Sequence, residues 1–149
     1  MTGGTVVFDV EGRQTEGAKA AEEAEAAKKE ARNLDILYVT AEIADGWYIE
    51  ESDDDSAQIK QDADNGGYLR ITTIFADSPK EAAESDQSIY ADSKLSTKTI
   101  NGTEYQYLKI NDTQFALYAQ CSTGEIFSVL GMFVDLDNAM PQLEKITVK

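Results

Sequence analysis

The sequence predicts an α+β fold, an antiparallel sheet of five to seven strands flanked by two or three helices, in a single domain spanning residues 1–149. Three observations carry this. Runs of β-branched and aromatic residues recur with turn residues between them, most densely over residues 94–133. Two stretches have helix chemistry, an alanine-rich segment over residues 15–33 and a proline-started one after Ser78. Hydrophobic residues make up 42% of the chain, enough for a core at a length that buries roughly two thirds of its unfolded surface.

Residues 5–10 read as a first strand, with Val6, Phe8 and Val10 on one face. The helix expected over residues 15–33 places Glu25 and Lys29 at the favourable four-residue spacing. Its stripe of Gly17, Ala20, Ala24, Ala27, Ala31 and Leu34 is built almost wholly from small side chains, so the helix either packs closely on a sheet or projects as a stalk. The narrowness of the stripe, and its ending in Leu34, favour packing. The main sheet is expected over residues 35–149. From Ile36, Leu37, Val39, Ala41 and Ile43 alternate with Tyr38, Thr40 and Glu42, the period of a half-buried strand. Asp45 and Gly46 then signal a turn into Trp47, Tyr48 and Ile49, so a hairpin is expected there.

A weaker strand follows through Ala57, Ile59 and Gln61. A stronger one covers residues 68–75, with Leu69, Ile71, Thr73 and Phe75 opposing Tyr68, Arg70, Thr72 and Ile74. The next helix has the clearest local signal: Ser78 caps it, Pro79 suits the first helical position, Glu81 reaches back to the cap amide, and the run extends to about Tyr90. Asn101 and Gly102 are the residues a two-residue hairpin turn asks for, because both positions need positive φ. Strands at residues 114–121 and 125–133, separated by Ser122, Thr123 and Gly124, complete a meander. A short last helix, capped by Asp137, holds Met140, Leu143 and Ile146, although Pro141 falls late for a first-turn proline.

The chain carries 28 acidic and 13 basic side chains, a formal charge of −15. Residues 1–34 hold 7 acids and 5 bases, residues 35–66 hold 10 and 1, and residues 67–149 hold 11 and 7, so most of the excess lies in one central stretch. Nucleic-acid binding depends on Lys and Arg displacing counterions from phosphate, and here that contribution is repulsive. DNA, RNA and anionic membranes are therefore not expected partners, whereas a protein with a basic surface is. No run of apolar residues is long enough to insert in a membrane, and the N-terminus lacks a signal-peptide pattern. The expected location is extracellular or the cell envelope, as a mature form without its leader, with the cytoplasm as the other option. Oligomeric state is left open.

The sequence contains no histidine, which removes the usual base of a hydrolytic triad and the usual zinc ligand. Cys121 continues the apolar face of Phe115, Leu117 and Ala119 and reads as a buried structural thiol. No phosphate-cradling glycine loop is present. A small carboxylate-dependent enzyme would need paired acids with one pKa raised by burial, and nothing marks such a pair. The expectation is a protein that is not an enzyme and has no cofactor, with a weak calcium site as the alternative. Calcium takes six to eight oxygens from flexible loops, and the 50–65 stretch offers Asp53, Asp54, Asp55, Asp62, Asp64 and Asn65; the candidate ligands are Asp53, Asp55, Asp62 and Asp64. An EF-hand is excluded, since Thr73 stands where its bidentate Glu is needed. Asp135 and Asp137 read as helix-start residues instead. Trp47, Tyr48, Tyr105, Tyr107 and Tyr118 are candidate partner-binding aromatics if their sheet face is open, and core rings if helices cover it.

The run Ile-Asn-Gly-Thr-Glu-Tyr-Gln-Tyr at residues 100–107 leads through residues 114–118 and 126–129 into a closing helix at residues 137–146. In this order of elements, over residues 35–149, the chain resembles PsbP-like domains and the DcrB-like bacterial envelope lipoproteins. That resemblance implies a twisted antiparallel sheet flanked by helices, a non-enzymatic binding or accessory role, and, in bacteria, tethering to the envelope through a lipid-modified cysteine. No cysteine stands near the N-terminus, so such a tether would lie upstream of Met1. The role expected is a non-catalytic binding or accessory module of the bacterial cell envelope, engaging a protein partner through an acidic edge or an aromatic sheet face.

Overall fold

A computed structural model describes residues 31–149. Ten strands and two helices follow one another: β1 (Asn33–Asp35), β2 (Val39–Glu42), β3 (Trp47–Ser52), β4 (Ala57–Gln61), β5 (Tyr68–Ile74), α1 (Pro79–Gln87), β6 (Lys94–Ile100), β7 (Thr103–Asn111), β8 (Gln114–Gln120), β9 (Ile126–Met132), α2 (Leu136–Leu143) and β10 (Ile146–Val148). Seven strands form one antiparallel sheet in the order β3-β4-β5-β9-β8-β7-β6, and β1-β2-β10 form a second sheet of three. The α+β class and the antiparallel main sheet are as the sequence predicts; the three-stranded sheet is not anticipated by it. The strand expected at residues 5–10 and most of the helix expected over residues 15–33 lie outside the described residues. The last position of that helix, Asn33, is extended and pairs with Glu42.

Alternation along the strands gives the seven-stranded sheet two unlike faces. On one face Ile59, Leu69, Ile71, Phe115, Leu117, Phe127 and Val129 meet Leu34, Val39, Ala41, Ile146, Ala139 and Leu143 from the small sheet and α2 in a single core. On the other face α1 lies over β6, β7 and β8, where Ala82 and Ala83 pack on Leu108, Ala116 and Tyr118. Among the described residues a cleft lies beside this helix, on the β5 side of the same face.

Local signals behave as their chemistry requires in the second half of the chain. Ser78 caps α1 by accepting the Glu81 amide at 3.1 Å, an interaction worth about 1 kcal/mol. The Glu81 carboxylate reaches back to the Asp77 amide at 3.2 Å, one residue before the cap rather than at the cap itself. Asn101 and Gly102 both take positive φ, 50° and 79°, and join β6 to β7 in an unbroken register.

The first half departs from expectation where contacts outweigh periodicity. The strand expected from Ile36 starts only at Val39, because the chain reverses at residues 36–38 between β1 and β2, with the Ile36 amide bonded to the Val39 carbonyl. Alternation breaks at that reversal: Leu37 is 48% exposed, and Tyr38 is fully buried, stacked on Phe127 with ring centroids 5.2 Å apart. The turn at Asp45 and Gly46 does not close a hairpin, since β2 belongs to the small sheet and β3 to the large one. This crossing is held from two sides. Arg32 donates to the carbonyls of Trp47, Ile43 and Ala44, while the buried Gln142 side chain accepts the Ala44 amide at 2.8 Å and donates to the Glu42 carbonyl at 3.0 Å.

Three further boundaries move. β5 ends at Ile74, so Phe75 leaves the expected apolar face and is 96% exposed. α1 stops at Gln87 rather than near Tyr90. The last helix is capped by Asp135, whose carboxylate accepts the Asn138 amide, not by Asp137; Pro141 sits inside it; and Ile146 belongs to β10, where pairing with β2 overrides helix propensity.

Candidate functional site

The acidic stretch is divided by the fold. Residues 50–65 are not one loop, because β4 runs through them. Asp53, Asp54 and Asp55 occupy the β3–β4 turn, whereas Asp62 and Asp64 follow β4 at its opposite end, a strand length away, roughly 17 Å at 3.4 Å per residue. The four candidate calcium ligands are therefore not brought together. Among the described residues no group of three or more Asp, Glu or Cys side chains is placed to share a metal ion.

The turn bearing Asp53, Asp54 and Asp55 is fixed rather than loose. The Leu37 amide donates to the Asp54 carbonyl at 2.8 Å, and the Tyr38 hydroxyl, which also meets Thr73, donates to the Asp55 carbonyl. The Asp53 amide bonds the Ser56 carbonyl at 2.8 Å and closes the turn. Burial raises the Tyr38 phenol above its ordinary pKa, the Thr73 bond acting against that rise, so Tyr38 stays a hydroxyl donor. All three aspartates are exposed, and half-exposed Leu37 lines the shallow depression beside them. The β1–β2 reversal thus holds a triple-carboxylate turn beside an apolar side chain. β3, which leads into it, stands at the end of the large sheet among the described residues and carries Glu50 and Glu51 at a bulge.

The candidate aromatics occupy the interior. Trp47, Tyr48, Tyr105 and Tyr118 are buried, and Tyr107 is half-buried, packed at the margin of the core with Lys98 5.9 Å above its ring. The small sheet and α2 cover the face that Tyr105 and Tyr107 share, and α1 covers Tyr118. These rings are core residues, not an open contact face. Burial pushes the Tyr105 phenol up to about 12. It pushes Tyr118 further, helped by the bond from its hydroxyl to Asp86.

Cys121 is buried as expected, with Sγ 3.1 Å from Thr123 Oγ1 and 3.5 Å from Glu125 Oε1. The Thr123 hydroxyl holds the Glu125 carboxyl below the usual carboxylate range. That direction is opposite to what a general acid needs.

A second concavity is one the sequence reading missed. Beside α1 lies a cleft of about 340 Å³ between Ile89 and Tyr90 on one side and β5 and β9 on the other. Arg70, Thr72 and Ser128 line it with Ile110 and Leu130. A signal for it was present: Arg70 and Thr72 interrupt the apolar character of β5 at period two, and Ser128 is a lone hydroxyl in an apolar strand.

Among the described residues no helix is long and apolar enough to cross a membrane. Compared with known proteins, the chain matches no family model, no curated protein and no solved structure. The resemblance to PsbP-like domains therefore rests on the order of elements alone.

Proposed function

We propose that this protein is a non-catalytic binding or accessory module that engages a protein partner with a basic surface through the acidic β3–β4 turn. The observation that carries the reading is the fixing of this turn: the Leu37 amide bonds the Asp54 carbonyl, the Tyr38 hydroxyl bonds the Asp55 carbonyl, and the Asp53 amide bonds the Ser56 carbonyl. A carboxylate cluster displayed on a constrained turn loses little conformational entropy on binding, and its charge speeds encounter with a cationic surface. Leu37 adds an apolar contact beside it. The aromatic sheet face considered as the other contact is occupied by the protein's own core.

The test compares two triple charge reversals. Asp53→Lys, Asp54→Lys and Asp55→Lys change the turn; Glu84→Lys, Glu104→Lys and Glu144→Lys change the net charge equally at exposed positions elsewhere. Partners retained from a native lysate at low salt are expected to be lost with the first variant and kept with the second. Equal loss in both would mean that net charge alone attracts them, and equal retention would remove the turn from the contact.

A further inference from the structure

The cleft beside α1 has a chemistry separate from the acidic turn. Thr72 pairs with Ser128 across β5 and β9, and Ser128 pairs with Tyr118 across β9 and β8, so three hydroxyl-bearing side chains form a row across the sheet. Ser128 is only 7% exposed, yet its hydroxyl meets Thr72 Oγ1 at 3.5 Å, longer than an ordinary O–H···O bond. A buried hydroxyl with so poor a partner is an acceptor and donor held in reserve. Among the described residues the charged side chains lining the cleft are one cation and one anion, at opposite ends of this row. Arg70 stands on the β5 side, with one guanidinium nitrogen bonded to Gln58 at 2.9 Å. Asp86 hangs from α1 on the β8 side, with one carboxylate oxygen taking the Tyr118 hydroxyl. Strand spacing separates β5 from β8 by roughly 10 Å, and Ile89, Ile110 and Leu130 add apolar walls to the hydroxyl row between them.

We propose that this cleft binds a small zwitterion with an apolar side chain, a free amino acid or a short peptide. The carboxylate lies against Arg70 with Thr72 and Ser128, the ammonium against Asp86, and the side chain against Ile89, Ile110 and Leu130. The volume is at the small end of ligand clefts, roughly 300 to 1,000 Å³, which suits a ligand of that size. A simple carboxylate would leave Asp86 facing it unpaired, and a simple amine would leave Arg70 so. A zwitterion satisfies both.

The test titrates the full chain with leucine, with dileucine, and with two analogues each missing one charge, isocaproate and isoamylamine, following backbone amide shifts. Leucine or dileucine is expected to move the amides of Thr72, Ser128 and Ile89, and the stronger of the two identifies the source. Each analogue is expected to bind at least about tenfold more weakly, the worth of a charge-assisted bond. Arg70→Gln is expected to weaken leucine and isocaproate but not isoamylamine. Asp86→Asn, which keeps an acceptor for Tyr118, is expected to weaken leucine and isoamylamine but not isocaproate. Binding of either analogue as tight as that of the zwitterions, shifts confined to other regions, or no shifts at all would overturn the proposal. Should a variant fail to fold, the four ligands on the wild-type chain still decide it.

Discussion

Gln142 offers a direct measurement of how the two sheets are joined. Its amide is 0% exposed, accepts the Ala44 N–H and donates to the Glu42 carbonyl, and so ties α2 to the backbone at the point where the chain passes from β2 to β3. Gln142→Met fills almost the same volume with apolar atoms, so the cavity contribution is small and the lost hydrogen bonds dominate. The Ala44 amide, itself buried, is left without an acceptor at a cost of about 1–3 kcal/mol; the Glu42 carbonyl loses one donor, about 1 kcal/mol more. The sum, about 2–4 kcal/mol, lowers the melting temperature by roughly 10 °C in a domain of this size. Urea and thermal unfolding followed by fluorescence of buried Trp47 report the loss, and hydrogen exchange at the Ala44 amide reports its local origin. A loss below about 0.5 kcal/mol, the range of ordinary surface substitutions, with Ala44 protection unchanged, would refute the reasoning.

Two other predictions concern the core. Gly67→Ala places a Cβ 2.5 Å from the Phe133 carbonyl oxygen and 2.6 Å from that of Met132; both are backbone atoms that cannot rotate aside, so destabilisation of about 1–3 kcal/mol is expected in urea unfolding, and a neutral result would show that the β5–β9 approach can widen. Unfolded phenols ionise near 10, whereas Tyr105 does so only at about 12 and Tyr118 is raised further, so between those values the unfolded chain has released protons that the folded chain keeps; stability is intact below pH 10 and falls as the pH climbs toward 12, and a urea midpoint that stays level across that window, or an equally steep fall in Tyr105→Phe, would contradict it.

What the amino-acid sequence determined by itself was whatever depends on neighbours along the chain. The Ser78–Pro79–Glu81 cap, the Asn101–Gly102 turn, and the meander from β6 to β9 follow from backbone chemistry within a few residues, and the structure contains all three. The density of acidic residues between positions 50 and 65 was equally plain, but the placing of its carboxylates was not. β4 divides them, and the backbone carbonyls of Asp54 and Asp55 are held by residues of the β1–β2 reversal, contacts that no local period encodes. The same is true of the crossing between the sheets. Arg32 and Gln142 are ordinary polar residues in sequence, and only when the chain folds do they become the partners of the same short backbone segment. Tertiary structure also decided that Tyr118 is interior and that the neighbouring part of its face lines a cleft, because α1 packs on β6, β7 and β8. A nine-residue helix rises about 13 Å and packs on these three strands, and among the described residues Arg70, Thr72 and Ser128 line the cleft beside it.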